Sequence, residues 1–305
     1  MADVFGALVP TFILIALGYV ARIARIATAE QFGMVNRFGY FILYPAFLFT
    51  LISGARFAGA EALPFVGAVL LGFAALALVA LSLRLVFRGD GPAYSSVFQG
   101  SVRWNGFALL AAAPNLFGPQ GTALIGLAFG PLVLMLNIIC VIVLARWGAA
   151  RATSMRAVLD QIIANPLIIA CAVGIAINLA GVHDLGYASD AIQLLGQAAM
   201  PIALVCVGAG LDFSALRASI PKVATASAMR LLVAPVLVWT ACLITGAAPL
   251  HTAVAVGIAS TPTAAASYTL AREMGGDARL MAAIITATTA LSFITMPIAI
   301  ALALR

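Results

Sequence analysis

Apolar stretches long enough to cross a bilayer follow one another along almost the whole chain. A spanning helix needs about 20 mostly apolar residues. On that ruler ten segments are expected, at roughly 4–21, 34–54, 64–87, 94–117, 121–146, 159–180, 190–211, 221–245, 250–271 and 280–304. Of the 305 residues, 64% are hydrophobic and 9% are charged. Soluble domains carry about 25% charged residues. No soluble core hides this much apolar surface, so the chain reads as an all-α polytopic membrane protein. The first segment, Val4–Ala21, has no basic stretch before it and no cleavage site followed by a mature domain. It reads as a retained membrane helix rather than a signal peptide.

Two segments are interrupted near their middles. Segment 9 carries Ala259-Ser260-Thr261-Pro262-Thr263-Ala264, and segment 4 carries Arg103-Trp104-Asn105-Gly106. A mid-helix proline removes one N–H donor and clashes with the carbonyl four residues back. In lipid such a break is tolerated only where protein buries it or where it lines a cavity. Asn105 lies about 16 Å into its segment and Pro262 about 18 Å into its own, at 1.5 Å per residue. Both breaks are thus expected near the bilayer midplane. Half-helix N-termini meeting there offer free N–H groups and partial positive charge, which suit a carboxylate.

The loop arginines set the orientation. Loops after segments 1, 3, 5, 7 and 9, with the adjoining segment ends, hold Arg22, Arg25, Arg37, Arg84, Arg88, Arg146, Arg151, Arg156, Arg217, Lys222, Arg272 and Arg279, twelve of the 16 basic residues. The opposite side holds Arg56 and Arg305, and Arg103 and Arg230 lie within segments. The odd loops are therefore expected in the cytoplasm and both termini outside.

The chain also echoes itself. Tyr44-Pro45 … Ser53-Gly54 … Phe57 recurs as Met200-Pro201 … Ala209-Gly210 … Phe213, 156 residues on. Phe117-Gly118-Pro119-Gln120 recurs as Met274-Gly275-Gly276-Asp277, 157 residues on. Five spans per half invert the second half relative to the first. Residues 1–148 and 149–305 are thus expected to form a 5+5 inverted-topology repeat, joined by the loop Trp147–Met155.

Other function classes find no support. The net charge of +6 comes without a basic run interleaved with aromatics, so nucleic acid is not expected as a partner. Cys140, Cys171, Cys206 and Cys242 all fall in apolar segments without metal or disulfide spacing. His183 and His251 sit in outward loops or at a segment edge, and all ten acidic residues lie in loops or at segment ends. There is no nucleotide-binding loop and no catalytic constellation, so neither an enzyme nor a cofactor or metal is expected.

Several of these residues resemble the auxin efflux carrier family, which includes bacterial malonate-transporter-like members. The resemblance runs through Val9-Pro10, Ala29-Glu30-Gln31 … Asn36-Arg37-Phe38, Pro45 … Ile52-Ser53, Asn165-Pro166, Gly208-Ala209-Gly210-Leu211, Pro262 … Ala271-Arg272-Glu273 and Met296-Pro297. It implies ten helices with broken, crossing helices 4 and 9. It implies a scaffold of helices 1, 2, 6 and 7 and a mobile transport domain of helices 3–5 and 8–10. Elevator-type movement of organic anions and a homodimer are implied too. Asn105 and Pro262 match the family's crossover asparagine and proline. Trp104 departs from the plant pattern, where proline precedes the asparagine, and the long cytoplasmic loop of plant carriers is missing. Both departures favour a bacterial metabolite carrier over an auxin carrier.

The expectation is a secondary transporter of a small organic carboxylate in the bacterial inner membrane, with both termini periplasmic. The candidate substrate-binding residues are Arg103, Asn105, Gly106, Asn137, Thr261, Pro262 and Thr263; for Asn105, Thr261 and Thr263, backbone satisfaction at the breaks is compatible with that role. Arg103 grips the anion or caps freed carbonyls. For Arg230, whose segment is not a broken one, the structural role is favoured. Asn137 reads equally as an interhelical hydrogen bond, and the segment 10 hydroxyls Thr286, Thr288, Thr289, Ser292 and Thr295 read as close packing in preference to cation coordination. The small residues Ser53-Gly54 and Gly208-Ala209-Gly210 point to dimer contacts through segments 2 and 7. The alternatives are a sodium-coupled symporter of bile-acid-carrier type, or an anion channel or sensor using the same pocket.

Overall fold

The computed structural model describes residues 2–54, 62–87, 89–149, 163–182 and 185–305. Arg56, Phe57, Glu61, Arg88, Arg151, Arg156, Asp160, His183, Asp184, the first residues of segment 6 and the join beyond Ala149 lie outside them. The described chain is all-helical and polytopic. Seven helices are long and apolar enough to cross a membrane, and Pro166–Leu179 and Pro249–Ser260 are shorter apolar helices.

In chain order the first helices are α1 (Ala2–Ile23), α2 (Ala29–Phe38), α3 (Tyr44–Ser53), α4 (Ala62–Ser82), α5 (Gly91–Val102), α6 (Gly106–Leu110) and α7 (Ala113–Trp147). They are followed by α8 (Pro166–Leu179), α9 (Tyr187–Ala209), α10 (Ile220–Ala228), α11 (Ala234–Thr245), α12 (Pro249–Ser260), α13 (Ala266–Glu273) and α14 (Ala278–Ala303). Gly118, at φ 65°, turns the chain inside α7, so residues 119–147 form a separate rod. The second segment starts five residues before its expected position. Thr28 and Gln31 form a capping box that starts α2 ahead of the apolar run.

Two rods contain a widened turn. Gly39–Leu43 joins α2 to α3 and Met229–Val233 joins α10 to α11, each as one π-helical stretch. The cause is a proline just downstream. Pro45 and Pro235 bring no N–H, and each ring would press on the carbonyl four residues back. The wider turn takes up the misfit, with Tyr44 N–H reaching back to Gly39 O and Ala234 N–H to Met229 O.

The helices pack as two groups. In the first, α1 lies against α9, and α3 lies against α8 and α9. Bare backbone lets them approach: a Cβ on Gly18 would sit 1.9 Å from Val205 O, and one on Gly208 would sit 1.7 Å from Ile15 O. Asn178 ties α8 to the end of α3 through Ile52 O (3.2 Å) and Ser53 O (2.8 Å). Gly208 and the Ser53 end, expected to serve an intersubunit contact, are thus occupied within the chain. In the second group α4 packs on α11, while α5, α7, α12 and α14 pack on one another. Ser96 Oγ donates to Asp277 O (2.9 Å), joining α5 to the start of α14. Between the groups the contacts are largely rings and methyls. Phe12 meets Phe293 (centroids 4.6 Å), Tyr44 and Phe47 meet Phe107 (4.8 and 5.7 Å), and Leu51 lies over Gly126.

Candidate functional site

The two interruptions meet. α5 ends at Val102 and α12 at Ser260, and the extended residues that follow pair as an antiparallel bridge between Trp104 and Thr263. Asn105 N–H donates to Pro262 O (2.9 Å), and Ala264 N–H donates to Arg103 O (3.4 Å). Helix resumes at Gly106 on one side and at Ala266 on the other. Each new helix has first-turn N–H groups without intrahelical partners.

A break buried in protein must find partners for its carbonyls. Arg230 supplies them. It is fully buried on the widened turn before α11, with its guanidinium 5.1 Å from the Phe73 ring centroid. Its Nε donates to Thr261 O (3.1 Å), its Nη1 to Val102 O (3.2 Å) and its Nη2 to Ala259 O. One side chain thereby caps both breaks.

The threonines are turned to the same task. Thr263 Oγ1 donates to Gly100 O (2.7 Å), Thr261 Oγ1 donates to Ile258 O (3.0 Å), and Thr288 Oγ1 accepts from Thr263 N–H (3.2 Å). Thr286 Oγ1 accepts from Asp212 N–H (2.8 Å), and Ser292 Oγ donates to Thr289 O (2.8 Å).

A cavity of about 110 Å³ lies in front of the breaks. A single water needs roughly 10–15 Å³ of such space, so several waters or a small anion fit. The second helix group contributes Arg103, Trp104, Asn105, Gly106, Phe107, Phe129, Asn137 and Ala264–Ala266 to its wall. The first contributes Asn36, Tyr40, Tyr44, Leu48, Leu167, Ala203 and Val207. The cavity therefore lies on the seam between the groups. Of the seven candidate residues, Arg103, Asn105, Gly106 and Asn137 line it, whereas Thr261, Pro262 and Thr263 are buried behind it.

Among the described residues, Arg103 is the only cationic side chain in this wall. It is half-buried and makes no side-chain hydrogen bond or ion pair among the described residues. Among the described residues the buried Asn105 Nδ2 and Trp104 Nε1 also find no hydrogen-bond partner. Gly106 is required by packing, because a Cβ there would come within 2.2 Å of the Phe129 ring.

Sequence reasoning missed the opposite wall. Tyr44 donates to Asn36 Oδ1 (2.9 Å), and its ring lies over Gly39, where a Cβ would come within 2.8 Å of it. Tyr40 sits beside the Asn165 side chain. The available signal was Pro45. A proline inside an apolar rod widens the turn before it, and that turn holds Tyr40 and Tyr44.

Comparison with known proteins agrees with this picture. The model of the family described as membrane transport protein matches residues 149–300. A protein of Methanothermobacter thermautotrophicus, named only as an uncharacterized transporter, is 24% identical over 291 residues, covering 94% of each chain. A protein of Rhizobium meliloti, whose name proposes a malonate transporter, is 26% identical over 314 residues, covering 97% of this chain and 94% of its own. With a family match over the second half and relatives aligned nearly end to end, the chain belongs to the membrane transport protein family, that of the auxin efflux carriers, and is a transporter rather than an enzyme.

Proposed function

We propose that the chain carries a small organic carboxylate across a bacterial inner membrane by elevator-type alternating access. The observation that carries this reading is the seam cavity, with one unpaired arginine on one wall and two paired helix breaks behind it. α1–α3, α8 and α9 are the scaffold; α4–α7 and α10–α14 are the moving transport domain. The largely apolar seam gives that domain a surface on which to slide without breaking many hydrogen bonds. Arg103 and the N-terminus of α13 attract the carboxylate, and Asn105 and Asn137 offer amides. The Rhizobium relative's name is consistent with such a substrate.

The finer architecture belongs to the same proposal: ten spans in a 5+5 inverted repeat, residues 1–148 and 149–305, with helices 4 and 9 crossing. The turn glycines Gly118 and Gly275, at φ 65° and 73°, stand 157 residues apart. The C-cap glycines Gly54 and Gly210 stand 156 apart. Four proline pairs keep the same spacing: Pro10 with Pro166, Pro45 with Pro201, Pro64 with Pro221 and Pro92 with Pro249.

With the arginine-rich loops in the cytoplasm and both termini periplasmic, the cavity lies toward the cytoplasm. Asn36, Leu167 and Val207 all lie within two or three turns of those loops. A homodimer through segments 2 and 7 would use their lipid-facing sides, where Phe41, Ile42 and Leu194 are exposed.

The test is saturable counterflow in proteoliposomes with labelled acetate, malonate, succinate and citrate. A channel passes label without counterflow, and a sensor passes none. Either result overturns the proposal.

A further inference from the structure

We infer that this transporter works as an anion exchanger: the empty transport domain does not return across the membrane readily, so substrate moves fast only when another anion loads on the far side. The inference rests on the elevator reading above and goes beyond it by fixing the transport mode.

The basis is a charge inventory. Within the apolar depth of the transport domain lie two arginines, Arg103 at the cavity and Arg230 behind it. A guanidinium stays charged at neutral pH. No Asp or Glu is buried among the described residues. The groups around Arg230 are the carbonyls of Val102, Ala259 and Thr261 and the Phe73 ring, all of them uncharged. Arg103 faces the cavity, with Tyr40 and Cys140 near enough to feel its charge. Glu273, at the exposed end of α13, is also near enough for Tyr40 to feel its charge, but it makes no ion pair with Arg103. The ion pair found among the described residues joins Lys222 to Asp90, at helix starts away from the break. Carbonyl dipoles stabilise a cation but leave its net charge unchanged.

Among the described residues no acidic group pairs with either arginine, so the empty transport domain moves their charge of two without an ion-pair partner, which is costly. A monocarboxylate halves this charge, and a dianion brings it to zero. The anion cargo is thus the missing counter-charge of the moving body. The loaded domain crosses in either direction, while the empty one is held on the side where it unloaded. This inference concerns the return step and does not require Arg103 to be the main contributor to affinity.

The experiment uses the full-length protein in proteoliposomes loaded in parallel with saturating labelled acetate, malonate, succinate or citrate. Potassium and valinomycin clamp the voltage at zero, so that efflux is not stopped by charge build-up. The expected result is that efflux of the transported anion rises at least about tenfold when the same unlabelled anion is supplied outside. Equal efflux with and without external anion overturns the inference and leaves the chain a transporter. No movement of any label overturns the transport reading, and this inference falls with it. Two variants separate charge from grip. Arg103→Lys keeps the charge, so it should keep the ratio even where apparent affinity falls. Arg103→Gln should bring the ratio toward one, because the empty domain then returns more easily. If Gln lowers both fluxes equally and the ratio stays high, the charge is not what holds the empty domain, and the inference is refuted.

Discussion

Replacing Arg230 by lysine tests whether one side chain holds the two breaks together. The guanidinium directs three nitrogens at three carbonyls from two helix ends, and it is fully buried. An ammonium on a flexible stem has no planar fork. It satisfies one of these carbonyls and leaves two orphaned. A hydrogen bond from a charged donor contributes about 1.5–3 kcal/mol, so losing two costs roughly 3–6 kcal/mol. At about 2–4 °C per kcal/mol for larger domains, thermal unfolding of Arg230→Lys in detergent should fall by roughly 6–24 °C. Arg103→Lys is the control. Arg103 makes no side-chain hydrogen bond among the described residues, so its melting temperature should stay within about 2 °C of the wild type. Paired melts of the three proteins, followed by tryptophan fluorescence, decide the matter. If Arg230→Lys melts with the wild type, water or backbone shifts satisfy the breaks and Arg230 is not their clamp. If Arg103→Lys falls as far as Arg230→Lys, the division of labour between the two arginines is wrong.

Three further outcomes are expected. Asn105→Ala removes an unpartnered amide, so it should lower transport at least about tenfold while leaving the melting temperature within about 2 °C of the wild type, measured by counterflow and melting on the same preparation. Gly208→Ala places a methyl against Ile15 O and should destabilise the α1–α9 contact by about 1–3 kcal/mol, read as lost folded yield on size-exclusion chromatography. Asp90 lies outside the spanning segments, and its pKa is lowered by the hydrogen bond from Lys222 and also by that from Ala93 N–H. A depressed carboxylate stabilises the fold above its unfolded pKa of about 3.9, and that contribution is lost as pH falls through the folded value. Melts between pH 3 and 7 should therefore show an acid-side decline that Asp90→Asn makes shallower, most clearly at low salt.

Much of the fold could be read from the chain because membrane insertion leaves few choices. Apolar length marks the spans, and Pro262 and Arg103-Trp104-Asn105 mark the interruptions, which the structure brings together as a bridge. The division of labour around the breaks could not be read. Thr261 and Thr263 flank the break in sequence, yet their hydroxyls turn to backbone carbonyls. Only coordinates reveal that choice, because a threonine has rotamers for either direction. Arg103 and Arg230 are each a lone cation inside an apolar run; the unbroken segment of Arg230 favours a structural role, but it does not say which carbonyls Arg230 reaches. What separates them is that Arg230 arrives from another helix, at a distance of 31 residues from Thr261 and 128 from Val102. Tyr40 and Tyr44 escaped notice because apolar periodicity does not register a widened turn.

The bridge between the two breaks uses the N–H groups of Asn105 and Ala264 and the carbonyls of Arg103 and Pro262. The nitrogens of positions 104 and 262 take no part in it. An imino acid at either position therefore costs the joint no hydrogen bond. Pro262 already exploits this freedom on one side. On the other side, the proline that plant carriers have before the asparagine would be compatible with the same joint. Trp104, whose ring forms part of the cavity wall, is free for the same reason. The bridge itself is written in main chain, and the side-chain ties beside it come from Arg230 and Thr263, so the side chain at 104 is a place where the shape of the cavity can be redesigned while the joint is left alone.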